Sequence, residues 1–252
     1  MNTEPKQFSI RFLSGFTLKV LACILMLIDH TGFLLFPRVT LLRIIGRLAF
    51  PIFAFFIAEG CKYTRNRLKR LLLLLIPGIL FEAVYVIYAG EVEGNVFLTF
   101  SLSVILVYAV QYVKAQFHIG TVYTRILSTL LLLASIAVTA ILATVIGVDY
   151  GFVGVLTPVI IAFTYYKEGE NAEIFRALDT HLGHLIALLI GAVLLSVDAE
   201  IGSIQIWCIL SVPILALYSG KPGYRGCKYL FYVFYPAHLL ILEGISMVLS
   251  NR

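Results

Sequence analysis

The chain has 252 residues, of which 60% are hydrophobic and only 13% charged. A mean hydropathy of +0.97 lies far outside the range of soluble domains and excludes a water-soluble enzyme or regulator. A formal charge of +5 would suggest nucleic acid in a soluble chain. Here the basic residues fall in short loops between apolar runs, which is a topology signal, so no nucleic-acid partner is expected.

A bilayer core about 30 Å thick takes about 20 apolar residues per helical crossing. In chain order such runs predict helices near 16–36, 41–61, 71–89, 96–114, 126–147, 149–166, 181–198, 201–219 and 229–249. The fold expected is all-α, a polytopic transmembrane helix bundle of about nine crossings, built as one membrane domain over residues 1–252. The count runs from eight to ten because the tight break "IGVDYG" also reads as a re-entrant or broken helix. Gly147 and Gly151 there form a GxxxG spacing that would let helices approach closely. The first run is too long for a signal-peptide core and lacks a small-x-small cleavage pattern, so it is expected to stay as a helix.

Charge orients the bundle. The segment "KYTRNRLKR" carries Lys62, Arg65, Arg67, Lys69 and Arg70, whereas "AGEVEGN" on the next loop is acidic. The basic loop belongs in the cytoplasm. Alternation then puts fifteen basic residues inside and four outside, namely Arg38, Arg43, Arg47 and Arg252, with Glu91, Glu93, Asp149, Asp198 and Glu200 on outer turns. The amino terminus is expected inside. Cys23, Cys61, Cys208 and Cys227 have no CxxC spacing, and His181 with His184 lacks a third ligand, so neither a disulfide nor a metal centre is expected.

Ionisable groups in spanning helices cost several kcal/mol unless paired or hydrated, so their positions carry information. His30 lies about 21 Å along the first helix from Phe16, in the outer half of the membrane beside Asp29. Arg43 and Arg47 enter the second helix from the same side, one turn apart. Asn95, Thr99, Asp149 and Tyr150 begin helices there, and Glu82 and His238 lie near mid-helix. One outward-opening polar pocket would collect them all. The structural alternative is an Asp29–Arg47 tie that only joins two helices.

Within such a pocket His30 suits a general base, with Glu82 or Asp149 holding its tautomer. Asp29 would pair with Arg47 or with a substrate amine. Tyr235 and His238 sit one turn apart around Pro236, and His238 is the rival base. On the inner side, Glu59 adjoins the basic loop, and Lys221, Arg225 and Lys228 form a second cluster. Such clusters suit a polyanionic ligand, and coenzyme A would fit.

The stretches "LMLIDHTG", "RIIGRLAFPIFAFFIAEG" followed by "YTRNR", "NVFLTF", "VDYGFVGVL", "YSGKPG" and "YLFYVFYPAHLLIL" together resemble the TraX family, nearly end to end. The family's namesake acetylates the amino terminus of conjugative F-pilin. The resemblance implies a bacterial inner-membrane acetyltransferase that uses acetyl-CoA as co-substrate. Its fold would be similar in kind to transmembrane acyltransferases. The acceptor it implies is a peptide, a pilin or an envelope glycan, met among the membrane lipids. Functional positions carried over are Asp29, His30, Arg47, Glu59, Arg65, Asn66, Asn95, Asp149, Tyr150, Tyr232, Tyr235 and His238. Arg47 or Tyr235 would then steady the oxyanion. A secondary transporter using the same midplane groups, or a noncatalytic membrane scaffold, are the competing functions.

Overall fold

The computed structural model describes residues 11–166, 173–199, 203–224, 226 and 229–250. Lys6, Lys167, Glu200, Arg225, Cys227, Lys228 and Arg252, which entered the charge and cysteine readings, lie outside the described residues.

Among the described residues the chain is a bundle of helices: α1 Gly15–Leu34, α2 Thr40–Gly46, α3 Ala49–Tyr63, α4 Arg67–Ala89, α5 Val96–Ile119, α6 Val122–Ile146, α7 Gly151–Phe163, α8 Glu173–Leu178, α9 His181–Asp198, α10 Ser211–Ala216 and α11 Leu230–Ser250. Polar punctuation sets the boundaries. Side chains of Ser14, Asn66, Asn95, Thr121 and Thr180 accept hydrogen bonds from the first free N–H groups of α1, α4, α5, α6 and α9. Gly147 ends α6 at φ 69°, a left-handed conformation that suits glycine.

Seven helices are long and apolar enough to cross a membrane, α2 and α3 together forming one interrupted span over Thr40–Tyr63. The remaining two expected crossings are shorter. Helix α7 has 13 residues, about 20 Å, and the run expected at 201–219 is a 3-10 segment, Ile204–Leu210, continued by α10. The break "IGVDYG" is a tight turn. Its Gly151 stands at φ 55° and Tyr150 at φ 61°, so the glycine spacing serves backbone reversal and not a helix–helix contact.

Burial separates core from rim. In their most apolar stretches 56% of α5 is buried but only 11% of α4 and of α6, which places α5 inside and the other two against lipid. The main core joins Phe55, Ile52, Val104, Ile161 and Leu188. Helices α5 and α7 approach through small polar residues: Ser103 Oγ donates to the Val155 carbonyl at 2.9 Å, and Thr99 Oγ1 to the Asp149 carbonyl at 2.9 Å. In hydrocarbon such bonds fasten helices where apolar burial gives no driving force.

The loops gather at two ends. At one end Lys62 Nζ contacts the Asp179 carboxylate at 2.7 Å, Lys114 Nζ donates to the Tyr165 carbonyl at 2.6 Å, and Leu13 pairs with Tyr218. The other end holds the turns carrying Glu93, Asp149 and Gln205, together with Arg43 and Arg47. The first end, which carries the basic loop expected in the cytoplasm, is called inner below and the second outer.

Candidate functional site

An outer cavity of about 620 Å³ lies between α1, α2, α4, α11 and the turns before α5 and α7. Asp29, His30, Arg47, Asp149, Tyr150 and Tyr235 all line it.

Asp29 is buried and joins α1 to the second span. Its Oδ2 accepts from Arg43 Nη1 at 2.9 Å and also from Arg47 Nη2. Arg47 Nη1 reaches Gln205 Oε1 at 3.4 Å. The second span breaks at Arg47 and Leu48, between α2 and α3, and this turn lets both arginines converge on one carboxylate. Such closeness depends on Gly46, where any Cβ would overlap the Asp29 side chain. The tie expected as the structural alternative is therefore present, and it forms part of the cavity wall. One carboxylate against two guanidinium groups leaves net positive charge there.

His30 Nδ1 lies 2.8 Å from His238 Nε2, and His238 Nδ1 lies 2.8 Å from the Phe234 carbonyl oxygen. A carbonyl only accepts, so His238 carries its proton on Nδ1 and presents a bare Nε2. His30 must then donate through Nδ1, which leaves its own Nε2 unprotonated. Neither Glu82 nor Asp149 holds the His30 tautomer, contrary to the sequence reading, because His238 occupies that place.

Asp149 and Tyr150 form the opposite wall. The Tyr150 ring stacks on Phe50 with centroids 4.0 Å apart, and Arg47 lies over its face at 5.9 Å. Part of Asp149 remains accessible from the cavity, yet protein surrounds it on almost every side. Desolvation, followed by the nearby Glu93 carboxylate, pushes its carboxyl up to about 7. The Tyr150 phenol is pushed up to about 12, again chiefly by desolvation.

Other expected members stand elsewhere. Asn95 caps α5 and donates to the Gly78 carbonyl at 3.0 Å and to Glu82 Oε2 at 3.1 Å. Glu82 in turn accepts the backbone N–H groups of Glu93 and Gly94. Asn95 and Glu82 thus latch the turn between α4 and α5, Thr99 ties α5 to the turn before α7 through the Asp149 carbonyl, and none of the three lines the cavity. Four residues expected in the single pocket are thus off its lining: Asn95, Thr99 and Glu82, which bond backbone groups, and His238, which bonds His30.

A second, inner cavity of about 470 Å³ carries Lys19, Lys69 and Arg70 with Tyr224, Tyr229 and Tyr232. Arg70 Nη2 donates to the Ile57 carbonyl at 2.8 Å, while its Nε is buried without a partner. Tyr232 stacks near Phe97, with centroids 6.4 Å apart. Glu59 is not on the lining and accepts from the Tyr218 hydroxyl at 2.8 Å. Arg65 is exposed, Asn66 caps α4, and exposed Lys221 accepts the Gly15 N–H through its carbonyl. The basic loop thus contributes Lys69 and Arg70, not Arg65.

Sequence reasoning missed Lys19, Gln205, Glu93 and Glu243 as cavity residues. Lys19 and Glu243 each announced themselves as charges within apolar helices, and Gln205 as a lone amide in an apolar run. Glu93 and Glu243 line the outer cavity, and neither pairs with a cation among the described residues.

A bundle of apolar helices of membrane-spanning length around two cavities that carry charged side chains defines a polytopic membrane protein. The family model described as TraX protein matches residues 14–246, and the chain belongs to that family. It is 28% identical to a protein of Dichelobacter nodosus described as "Probable fimbrial assembly protein FimC, serogroup H1", over 94% of this chain and 97% of the other. A shorter stretch of 39 residues is 59% identical to "Uncharacterized protein RP591" of Rickettsia prowazekii (strain Madrid E), covering 16% of each chain. No solved structure matches.

Proposed function

We propose that this protein is an acetyltransferase of the bacterial inner membrane, oriented with its amino terminus in the cytoplasm. It moves an acetyl group from cytoplasmic acetyl-CoA to an acceptor in the outer cavity. The observation that carries the reading is the Phe234–His238–His30 relay, which leaves His30 Nε2 free on the wall of a cavity. A half-buried imidazole whose tautomer is set through two rings has the form of a positioned general base.

The inner cavity suits the donor. Lys19, Lys69 and Arg70 match phosphate groups, and Tyr224 offers a face for a base. The thioester supplies an acyl carbon open to nucleophilic addition. As the acceptor adds to that carbon, His30 Nε2 takes the acceptor's proton. The positive charge shared by Arg43 and Arg47 faces the developing oxyanion, with Asp29 fixing both guanidinium groups. The carbon–sulfur bond then breaks, and the proton held by His30 returns to the departing thiolate.

Glu93 and Glu243 on the outer wall favour an acceptor that arrives as an ammonium ion and releases one proton to water before it adds, which supports an amine over a sugar hydroxyl. Family membership and the fimbrial name of the Dichelobacter nodosus relative support a pilus-related acceptor such as a pilin subunit. Incubating membranes with labelled acetyl-CoA and an envelope extract tests the reading. Transfer that depends on His30 supports it, and full transfer by an inserted His30→Ala protein rejects it.

A secondary transporter is the second reading, favoured by cavities that approach one another from opposite ends. Solute counterflow in proteoliposomes without any acetyl-CoA turnover would decide for transport.

A further inference from the structure

Among the described residues the two cavities have a single lining residue in common, Tyr235. Its side chain is buried, 5% exposed, and is held between the two sets. Phe81 of the outer cavity lies 5.6 Å away by ring centroids and Phe97 of the inner cavity 4.9 Å. The His30 ring stands at 6.5 Å on the outer side.

Both chambers carry charge, Arg47 and Asp149 on one side and Lys19 and Arg70 on the other. Volumes of about 620 and 470 Å³ hold on the order of twenty and fifteen waters, at about 30 Å³ each. Hydrated space thus approaches from each end. What separates it is an aromatic layer with Tyr235 at its centre.

The backbone next to this layer is loosely stitched. Pro236 follows Tyr235 inside α11 and has no N–H to give the Tyr232 carbonyl one turn earlier. The turn that carries Tyr235 therefore lacks one of its helical bonds and can swing at lower cost than its neighbours.

We infer that the Tyr235 ring is the movable partition of a transmembrane passage. In place it keeps the bilayer tight to protons; swung aside it joins the two cavities. What passes rests on the acetyl-transfer reading, in which an acyl group from the inner cavity crosses the layer at Tyr235 before it meets His30. The barrier itself does not depend on that reading.

The test needs no acetyl-CoA. Purified full-length protein is reconstituted into liposomes containing a trapped fluorescent pH dye, the membrane potential is clamped with potassium and valinomycin, and the external pH is stepped. Wild type, Tyr235→Phe and the lipid-facing control Ile241→Ala should stay tight, because Ile241 is 62% exposed and lines neither cavity. Tyr235→Ala should equilibrate at least tenfold faster.

A Tyr235→Ala protein as tight as wild type overturns the inference, as does an equal leak through Ile241→Ala. Simple misfolding is excluded with Tyr235→Cys. It should leak, and a bulky aromatic thiol reagent should restore tightness by refilling the gap; a leak that survives modification counts against the partition. A tight Tyr235→Ala protein that still acetylates sinks the partition alone. A leaky one whose parent never acetylates sinks only the proposed function.

Discussion

His30 and His238 stand side by side with Nδ1 and Nε2 2.8 Å apart, and the direction of the hydrogen bond between them is fixed by a backbone carbonyl one residue further along the relay. Two histidines 208 positions apart in sequence thereby act as one unit, with a single free nitrogen.

Their roles should separate on mutation. His30→Ala should lower acetyl transfer by about 10²–10⁴-fold, the usual worth of a general base. His238→Ala should cost less, because the base survives but its tautomer is no longer fixed. His238→Gln offers a carbonyl oxygen to His30 Nδ1–H and should recover part of the loss. Initial rates with labelled acetyl-CoA measure all three. A His238→Gln protein no better than His238→Ala would remove the positioning role.

Asp29 balances two guanidinium groups in a buried setting. Asp29→Ala should destabilise the protein by about 3–5 kcal/mol, the cost of leaving buried charge uncompensated. Gly46→Ala forces a Cβ into the Asp29 side chain and should cost about 1–3 kcal/mol by overpacking. Unfolding in detergent, followed by tryptophan fluorescence and by trapping of exposed thiols, checks both. Near-wild-type stability of Asp29→Ala would show the tie to be dispensable.

The Asp149 carboxyl, raised to about 7 by desolvation, makes a signed prediction. Its folded pKa lies above the unfolded value of about 3.9, so the folded state holds its proton more tightly. The stability from this group is fully present below about pH 4 and is lost as pH rises to about 7. Asp149→Asn keeps the shape without the titration. Wild type should thus lose stability relative to Asp149→Asn between about pH 4 and 7, and parallel stability curves across that range would contradict the assignment.

Donor binding should follow the inner cavity's cations. Lys19→Ala and Arg70→Ala should each weaken acetyl-CoA binding about tenfold, the worth of one charge-assisted hydrogen bond. Arg65→Ala, exposed and away from the lining, should leave it unchanged. Calorimetric titration of solubilised protein with acetyl-CoA distinguishes them. Equal losses at Arg65 and Arg70 would point to general loop charge instead of a cavity.

Composition and hydropathy determined the class, because apolar runs of bilayer length have few other uses in a folded chain. Helix ends were legible at Asn95 and Gly147, where the expected runs begin and end, but α4 starts just after Asn66, ahead of the expected residue 71. The level of Asp29, His30, Arg43 and Arg47 was legible too, since depth along a helix is simple arithmetic. The same arithmetic misread Asn95, Thr99 and Glu82, as a polar group at the right depth can be consumed by a nearby backbone cap.

What the sequence left open depends on rotation and on contacts between distant segments. The 3.6-residue period does not say which neighbour a helix face meets, so the pairing of His30 with His238, the sharing of Asp29 by two arginines and the placing of Tyr235 between two chambers were decided only by the packed bundle. Hydrophobicity along one chain counts the spans and sets their depth. Side-chain hydrogen bonds between spans then decide which buried charges become a site and which become a fastening.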